Sequence, residues 1–186
     1  MSEPTPLRRL IESRRSIRKY LPEPVEREKI EACLEAARLA PSAQNSQSWR
    51  FIVIDDPEVK ARFAEKAFSG IYAPTRFAAE APVLVLILAK ADFVAHLVGQ
   101  TIQSIPFYAL DVGIAGEHLV LQAEELGLGT CWIGWFDVKK ARRFFKIPRL
   151  YRLVSLISIG YAARRPPNER VRKPIETIAW WNRFKD

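Results

Sequence analysis

The sequence predicts an α+β fold, a layered single domain in which helices cover a sheet, and three observations carry that prediction. Stretches of helical periodicity alternate with short β-rich runs, in the order helix, helix, strand, helix, strand, helix, strand, helix, strand, tail. Pro82 to Leu88 is continuous Val, Leu and Ile after the proline, the pattern of a strand covered on both faces. The chain has 186 residues, 48% of them hydrophobic, with five Trp and ten Phe, which suits one domain with a full core and argues against disorder.

Leu7, Leu10 and Ile11 share a helical face that closes before a basic cluster. A second helix is expected from Val25 to Leu39, with Ile30, Cys33, Leu34 and Ala37 on one face. Pro24 suits its start and Pro41 opposes continuation past Ala40. Ser42 to Ser48 is polar and aperiodic, an ordered loop because Trp49 follows at once. Trp49 to Ile54 reads as a strand, and Asp55-Asp56-Pro57 stops it and opens a helix.

Residues 101–126 give the longest helical stretch, with Ile105, Val112, Leu119 and Leu126 seven apart. Its small residues Ala109, Gly113, Ala115 and Gly116 permit close approach of another backbone. A central core helix and a helix at a subunit interface both fit, and the two are compatible. Gly127 and Gly129 are expected to end it as C-cap residues. Thr130 to Gly134 and Leu153 to Tyr161 read as two further strands. Beyond Ala162 the chain is rich in Arg and Pro and ends in Ile178-Ala179-Trp180-Trp181-Asn182-Arg183-Phe184, aromatics for which a partner subunit is the natural cover.

A net charge of +8 calls for an anionic partner: nucleic acid, a phosphate-bearing cofactor or an acidic membrane. Charge alone does not choose among them. Cys33 and Cys131 lie in apolar settings, as buried thiols rather than a disulfide. Met1 to Lys19 is polar and basic, unlike a secretory signal, and the apolar run Ala81 to Ala89 is too short to span a bilayer. A cytoplasmic setting is expected. His96 and His118 have no second His at ligand spacing, so no metal is expected. No G-x-S-x-G elbow and no G-x-G-x-x-G fingerprint occurs, which leaves the chain without a protein-borne nucleophile. That absence fits a protein whose cofactor carries the chemistry.

Four segments supply what such a cofactor needs. Residues 13–20, Ser13-Arg14-Arg15-Ser16-Ile17-Arg18-Lys19-Tyr20, place four cations and two serine hydroxyls in eight positions, the chemistry of a phosphate clamp. Residues 41–49 read Pro41-Ser42-Ala43-Gln44-Asn45-Ser46-Gln47-Ser48-Trp49. Residues 129–136 read Gly129-Thr130-Cys131-Trp132-Ile133-Gly134-Trp135-Phe136, and Arg170-Val171-Arg172-Lys173-Pro174 forms a second basic cluster.

Together, in this order, these segments resemble the nitroreductase family of flavoenzymes, and the resemblance runs from Leu7 to about Thr177. It implies a central mixed or antiparallel sheet surrounded by helices, in an intertwined homodimer that binds FMN across its interface. By the same resemblance Arg14, Arg15 and Ser16 grip the phosphate end and ring edge, and Arg18 faces the pyrimidine side. Pro41, Ser42, Ala43 and Asn45, with Gln47, reach the flavin of the other subunit. Gly134 directs a backbone N–H toward flavin N5, with Trp132 and Ile133 beside the ring, and Arg170 and Arg172 complete the phosphate site. Trp135, Tyr72 and Phe107 are expected to border the substrate slot. Residues 1–186 then form one FMN-binding domain, with 162–186 an arm on the partner.

The resemblance further implies NAD(P)H as reductant and a nitroaromatic, quinone or other flat acceptor, by a ping-pong mechanism. Two departures stand out. Trp135 replaces the glycine of many members, and Arg76 is the one cation in Ile71-Tyr72-Ala73-Pro74-Thr75-Arg76-Phe77, where some members place an Asn and a cation. The short segment before the long helix lacks the lid of the deiodinase and flavin-destructase branches. Enoate, heterocycle or halide reduction on the same scaffold remains a rival, as does a non-catalytic basic nucleic-acid-binding domain, although no groove-entering motif is present.

Overall fold

The computed structural model describes residues 3–90, 106–166 and 170–184. Helix α1 (Pro6–Ser13) starts where Thr5 accepts the Arg8 N–H and Pro6 occupies the first turn, a position that needs no donor. Helix α2 (Arg27–Arg38) buries Ile30, Cys33 and Ala37. Strand β1 (Trp49–Ile54) leads to α3 (Pro57–Ala67), capped by Asp56, whose carboxylate accepts the Val59 N–H at 2.8 Å. Residues Gly70–Glu80 then wind in 3-10 turns around Pro74. Strand β2 (Val83–Lys90), helix α4 (Phe107–Glu125), strand β3 (Gly129–Ile133), helix α5 (Val138–Phe144) and strand β4 (Tyr151–Gly160) complete the order read from the sequence.

The sheet runs β1-β2-β4-β3, with every neighbouring pair antiparallel. Alternation along β2 divides the interior into two cores. Leu84, Leu86 and Leu88 join Phe63, Phe68, Phe136 and Leu156 under α3 and α5. Val83, Val85, Ile87 and Ala89 join Ile30, Cys33, Val112, Leu119 and Ile157 under α2 and α4. The continuous apolar run is thus explained: each face of β2 is lined for a different helical layer.

Helix α4 is a core helix with a second apolar edge. It buries Val112, Ala115, Leu119, Val120 and Ala123, yet Leu110 and Ile114 stay 54% and 39% exposed. The expected start at residue 101 falls outside the described residues, as does His96. His118 lies on α4 with its Nδ1 3.3 Å from the Ala36 carbonyl, a tie to α2. Gly127 ends the helix with φ +77°. Gly129 does not share that role. It opens β3, and a Cβ there would sit 2.5 Å from Ile17 Cγ1, so close packing of Ile17 is what requires it.

Both cysteines are buried and free. Burial pushes the Cys33 thiol up to about 11, so it stays protonated and unreactive at neutral pH. No described helix is long and apolar enough to cross a membrane.

Candidate active site

The basic stretch after α1 is stitched to the ends of β3 and β4. Ser16 pairs in parallel with Thr130, where the Ile17 N–H donates to the Thr130 carbonyl at 2.8 Å. Tyr20 pairs with Ala162, the Leu21 N–H donates to Tyr161, and the Ala163 N–H donates to Lys19. Ile17 and Tyr20 are buried along this stretch, and Arg18 and Lys19 between them are exposed. The buried Tyr20 hydroxyl lies 2.8 Å from Ser158 Oγ and donates to the Ile17 carbonyl at 2.7 Å; desolvation raises its pKa above the ordinary phenol value.

Around the end of α1 the cations converge. Arg15, 7% exposed, folds back so that its Nη1 donates to the carbonyls of Glu12, Ser13 and Arg14 at 2.6, 3.1 and 2.8 Å. From the far end of the chain, Arg170 Nη2 donates to the carbonyls of Ile11 and Glu12 at 2.6 and 3.1 Å. Glu12, Ser13, Arg15, Arg170 and Arg172 line a cleft of about 550 Å³. Desolvation holds the Arg170 guanidinium below its ordinary pKa, and the positive fields of Arg15, Arg172 and Arg14 add to it. Arg14 Nε is buried without a hydrogen-bond partner; Glu117 Oε1 stands 3.8 Å away, too far for one. Carbonyl oxygens at a helix end ease this crowding of cations only in part, and an anion with several acceptor oxygens would complete it.

A second cleft, of about 290 Å³, is lined by Ser16, Arg18, Lys19, Arg164 and Pro166. Arg18 also lies over the Phe77 ring, 5.8 Å from its centre, in the 3-10 segment.

The loop before β1 forms a tight 3-10 turn, Ala43–Asn45. Pro41, Asn45 and Gln47 are exposed, and Ser42 and Ala43 are half-buried. Ser42 Oγ accepts the Gln47 N–H at 2.9 Å, and Gln47 Nε2 donates to Asn45 Oδ1 at 3.3 Å, so the two amides stand side by side. The loop is fastened to α4 by Asp111, which accepts the Ala43 N–H at 3.0 Å. Arg14 approaches the same helix at Glu117. Six residues separate Asp111 from Glu117, about 9 Å at roughly 1.5 Å per residue. Within one subunit, the loop and Arg14 thus meet α4 about two turns apart.

At the end of β3, Gly134 is exposed, with nothing within 4 Å of where a Cβ would stand. Trp135 is 53% exposed and held on two sides by the 3-10 segment. Its Nε1–H donates to the Ile71 carbonyl at 2.9 Å, and Thr75 Oγ1 donates to the Trp135 carbonyl at 2.7 Å. Half-buried Tyr72 meets the indole, with ring centres 5.2 Å apart. Phe107 is half-buried in the first turn of α4. Trp132 and Ile133 differ from the sequence reading in where their side chains go. Ile133, 2% exposed, belongs to the core under α3 and α5, and the tip of the Trp132 ring lies where a Cβ on Gly116 would clash. Ile133 therefore has no exposed side chain at the strand end, whereas Trp132 is half-buried.

Asp111 is the functional candidate that sequence reasoning missed. Its signal was a lone carboxylate next to Val112 on the buried side of α4, and nothing local tells such a residue from one on a solvated face. Among the described residues no group of His, Cys, Asp and Glu is placed to hold a metal.

Comparison with known proteins identifies the family. The model of the nitroreductase family matches residues 11–161. An NADH dehydrogenase of Thermus thermophilus is 29% identical over 195 residues, covering 90% of this chain and 92% of its own. An NAD(P)H-dependent FMN reductase of Bacillus subtilis is 30% identical over 177 residues, covering 88% of this chain and 68% of its own. The solved structure of an FMN-dependent nitroreductase from Clostridium difficile superposes with a TM-score of 0.72 at 30% identity, covering 94% of this chain and 98% of that one. With most of its length matched, and its sheet and helices in the same arrangement, the chain belongs to the nitroreductase family of oxidoreductases.

Proposed function

We propose that the protein is a homodimeric, FMN-dependent NAD(P)H oxidoreductase with one domain per subunit, whose arm, residues 162–186, packs on the partner. The observation that carries this reading is the arginine cluster: Arg15, Arg170 and Arg172 line one cleft, and the adjacent Arg14 has a buried Nε lacking a hydrogen-bond partner. These fit the terminal phosphate of a mononucleotide. Bound there, FMN supplies reversible hydride chemistry between NAD(P)H and a flat acceptor such as a nitroaromatic or quinone. Arg14, Arg15, Arg170 and Arg172 fix the phosphate. Ser16 and Arg18 lie along the ring edge, where the Arg18 cation favours a ring that has gained negative charge. Asn45 and Gln47 present side-by-side amides for the ring edge of the partner's flavin, supported by Pro41, Ser42 and Ala43. Gly134 offers an unobstructed backbone N–H. Trp135, Tyr72 and Phe107 border one slot that reductant and acceptor occupy in turn, which gives ping-pong kinetics. Two buried, free thiols suit a cytoplasmic setting.

The purified protein should be yellow, and acid should release FMN identified by chromatography. Recovery of FAD, or failure to take up added FMN, overturns the reading.

Trp135 should govern acceptor choice. Trp135→Gly removes a half-exposed ring and one hydrogen bond, so stability should fall by only about 1–2 kcal/mol. FMN binding should persist, and bulky acceptors should gain relative to small ones. A large fall in melting temperature with an unchanged ratio of acceptor rates rejects this role.

A further inference from the structure

Asp111 stands near the start of α4 with 4% exposure. One carboxylate oxygen accepts the Ala43 N–H at 3.0 Å; the other accepts the hydroxyls of Ser46 and Ser48 at 3.2 and 3.3 Å. The loop so held is conformationally costly. Gln44, Asn45 and Gln47 have φ of 52°, 53° and 45°; asparagine takes such left-handed values readily, whereas the two glutamines hold them at a cost that the surroundings must offset. The Ser42–Gln47 bond closes the loop on itself, whereas Asp111 fixes it to a helix. Leu110 and Ile114, the exposed apolar residues of α4, flank Asp111 in sequence, so the carboxylate that holds the loop lies beside the surface available to a second subunit.

We propose that Asp111 is a positioning residue for flavin binding: its buried carboxylate holds residues 42–48 in the left-handed turn that presents the Asn45 and Gln47 amides to the ring. The proposal rests on the reading of this loop as a flavin contact. Asp111 itself touches no ligand. Its effect passes through the loop, and the loop meets the ring end of the cofactor rather than the phosphate end.

Riboflavin, which has the ring and lacks the phosphate, separates the two ends. In Asp111→Ala, affinities for FMN and riboflavin, read by quenching of flavin fluorescence, should fall by the same factor, about 10- to 100-fold, as expected for losing hydrogen bonds to a charged group. Arg172→Ala should weaken FMN and leave riboflavin unchanged. Asp111→Asn should restore most of the loss, because its amide oxygen still accepts the Ala43 N–H and its amide nitrogen donates to hydroxyls that can rotate. Adding Asn45→Ala to Asp111→Ala should cost little more, since the loosened loop no longer uses Asn45. Should Asp111→Ala not fold, the Ser46→Ala, Ser48→Ala double variant carries the test, with a smaller loss shared equally by both flavins. Wild-type affinity for both flavins in the folded variant, a loss confined to FMN, or a full additional loss from Asn45→Ala overturns the proposal. A wild-type protein that binds neither flavin overturns the flavin reading itself.

Discussion

Changing Arg14 and Arg172 together to alanine should strip FMN from the protein while changing the apoprotein's stability far less than that of the holoprotein. Each substitution removes a charged hydrogen-bond partner from the phosphate and should weaken FMN by about 1.5–3 kcal/mol. Because both cations serve one anion, the two losses need not add. In the apoprotein two effects oppose each other: removing Arg14 and Arg172 relieves like-charge repulsion on Arg170, and removing Arg14 loses its 3.8 Å ion pair with Glu117. Melting curves of variant and wild type should therefore lie close together without FMN and separate with it, the variant lower. Excess FMN should restore much of the rate. Wild-type FMN affinity in the double variant would put the phosphate elsewhere.

A chain ending at Lys173 should lose dimer stability and, through it, flavin. The removed segment is almost uncovered in one subunit: Trp181 is 90% exposed, Phe184 75%, Ile175 63% and Ile178 56%. Trp180 and Phe184 meet each other with tilted rings, their centres 4.9 Å apart. Covering these side chains with a partner is worth several kcal/mol at roughly 25 cal/mol per Å². The shortened chain keeps Arg170 and Arg172, so any fall in FMN retention reports on the interface and not on missing phosphate ligands. Sedimentation should show dissociation at concentrations where the full chain stays paired. A stable, flavin-loaded monomer of the full chain rejects the shared-site reading.

The sequence carried the order of elements because each has a local signature. The continuous apolar run of β2, Pro57 after Asp56, and Gly127 beyond α4 all act within a few residues of where they appear. The arginine segments were legible by their chemistry. Their convergence was not, since it depends on Arg170 reaching the carbonyls of Ile11 and Glu12 across the length of the chain. The direction of Trp132 was hidden for a similar reason: a ring at the end of a strand faces whichever side offers a vacancy, and Gly116 makes that vacancy on α4. The role of Gly129 was misread because a glycine just past a helix suits a cap as well as a close approach. Only the neighbour, Ile17, separates the two. Asp111 carried no local signal of its tie to residues 43–48.

The stitching of residues 16–21 to the ends of β3 and β4 also sets when the molecule can mature. Tyr20 meets Ser158, 138 positions away, and Lys19 waits for Ala163. Contacts so distant along the chain form late and slowly. While the ribosome is still making β4, α2, α3, β1 and β2 already have near neighbours to pack against, but the arginines after α1 have no strand ends to lie on. Cofactor capture therefore belongs to the closing stage of biogenesis. A nascent or clipped chain lacking residues beyond β4 carries much of both cores but lacks the ties of Lys19, Tyr20 and Leu21 to residues 161–163 and the cations Arg170 and Arg172.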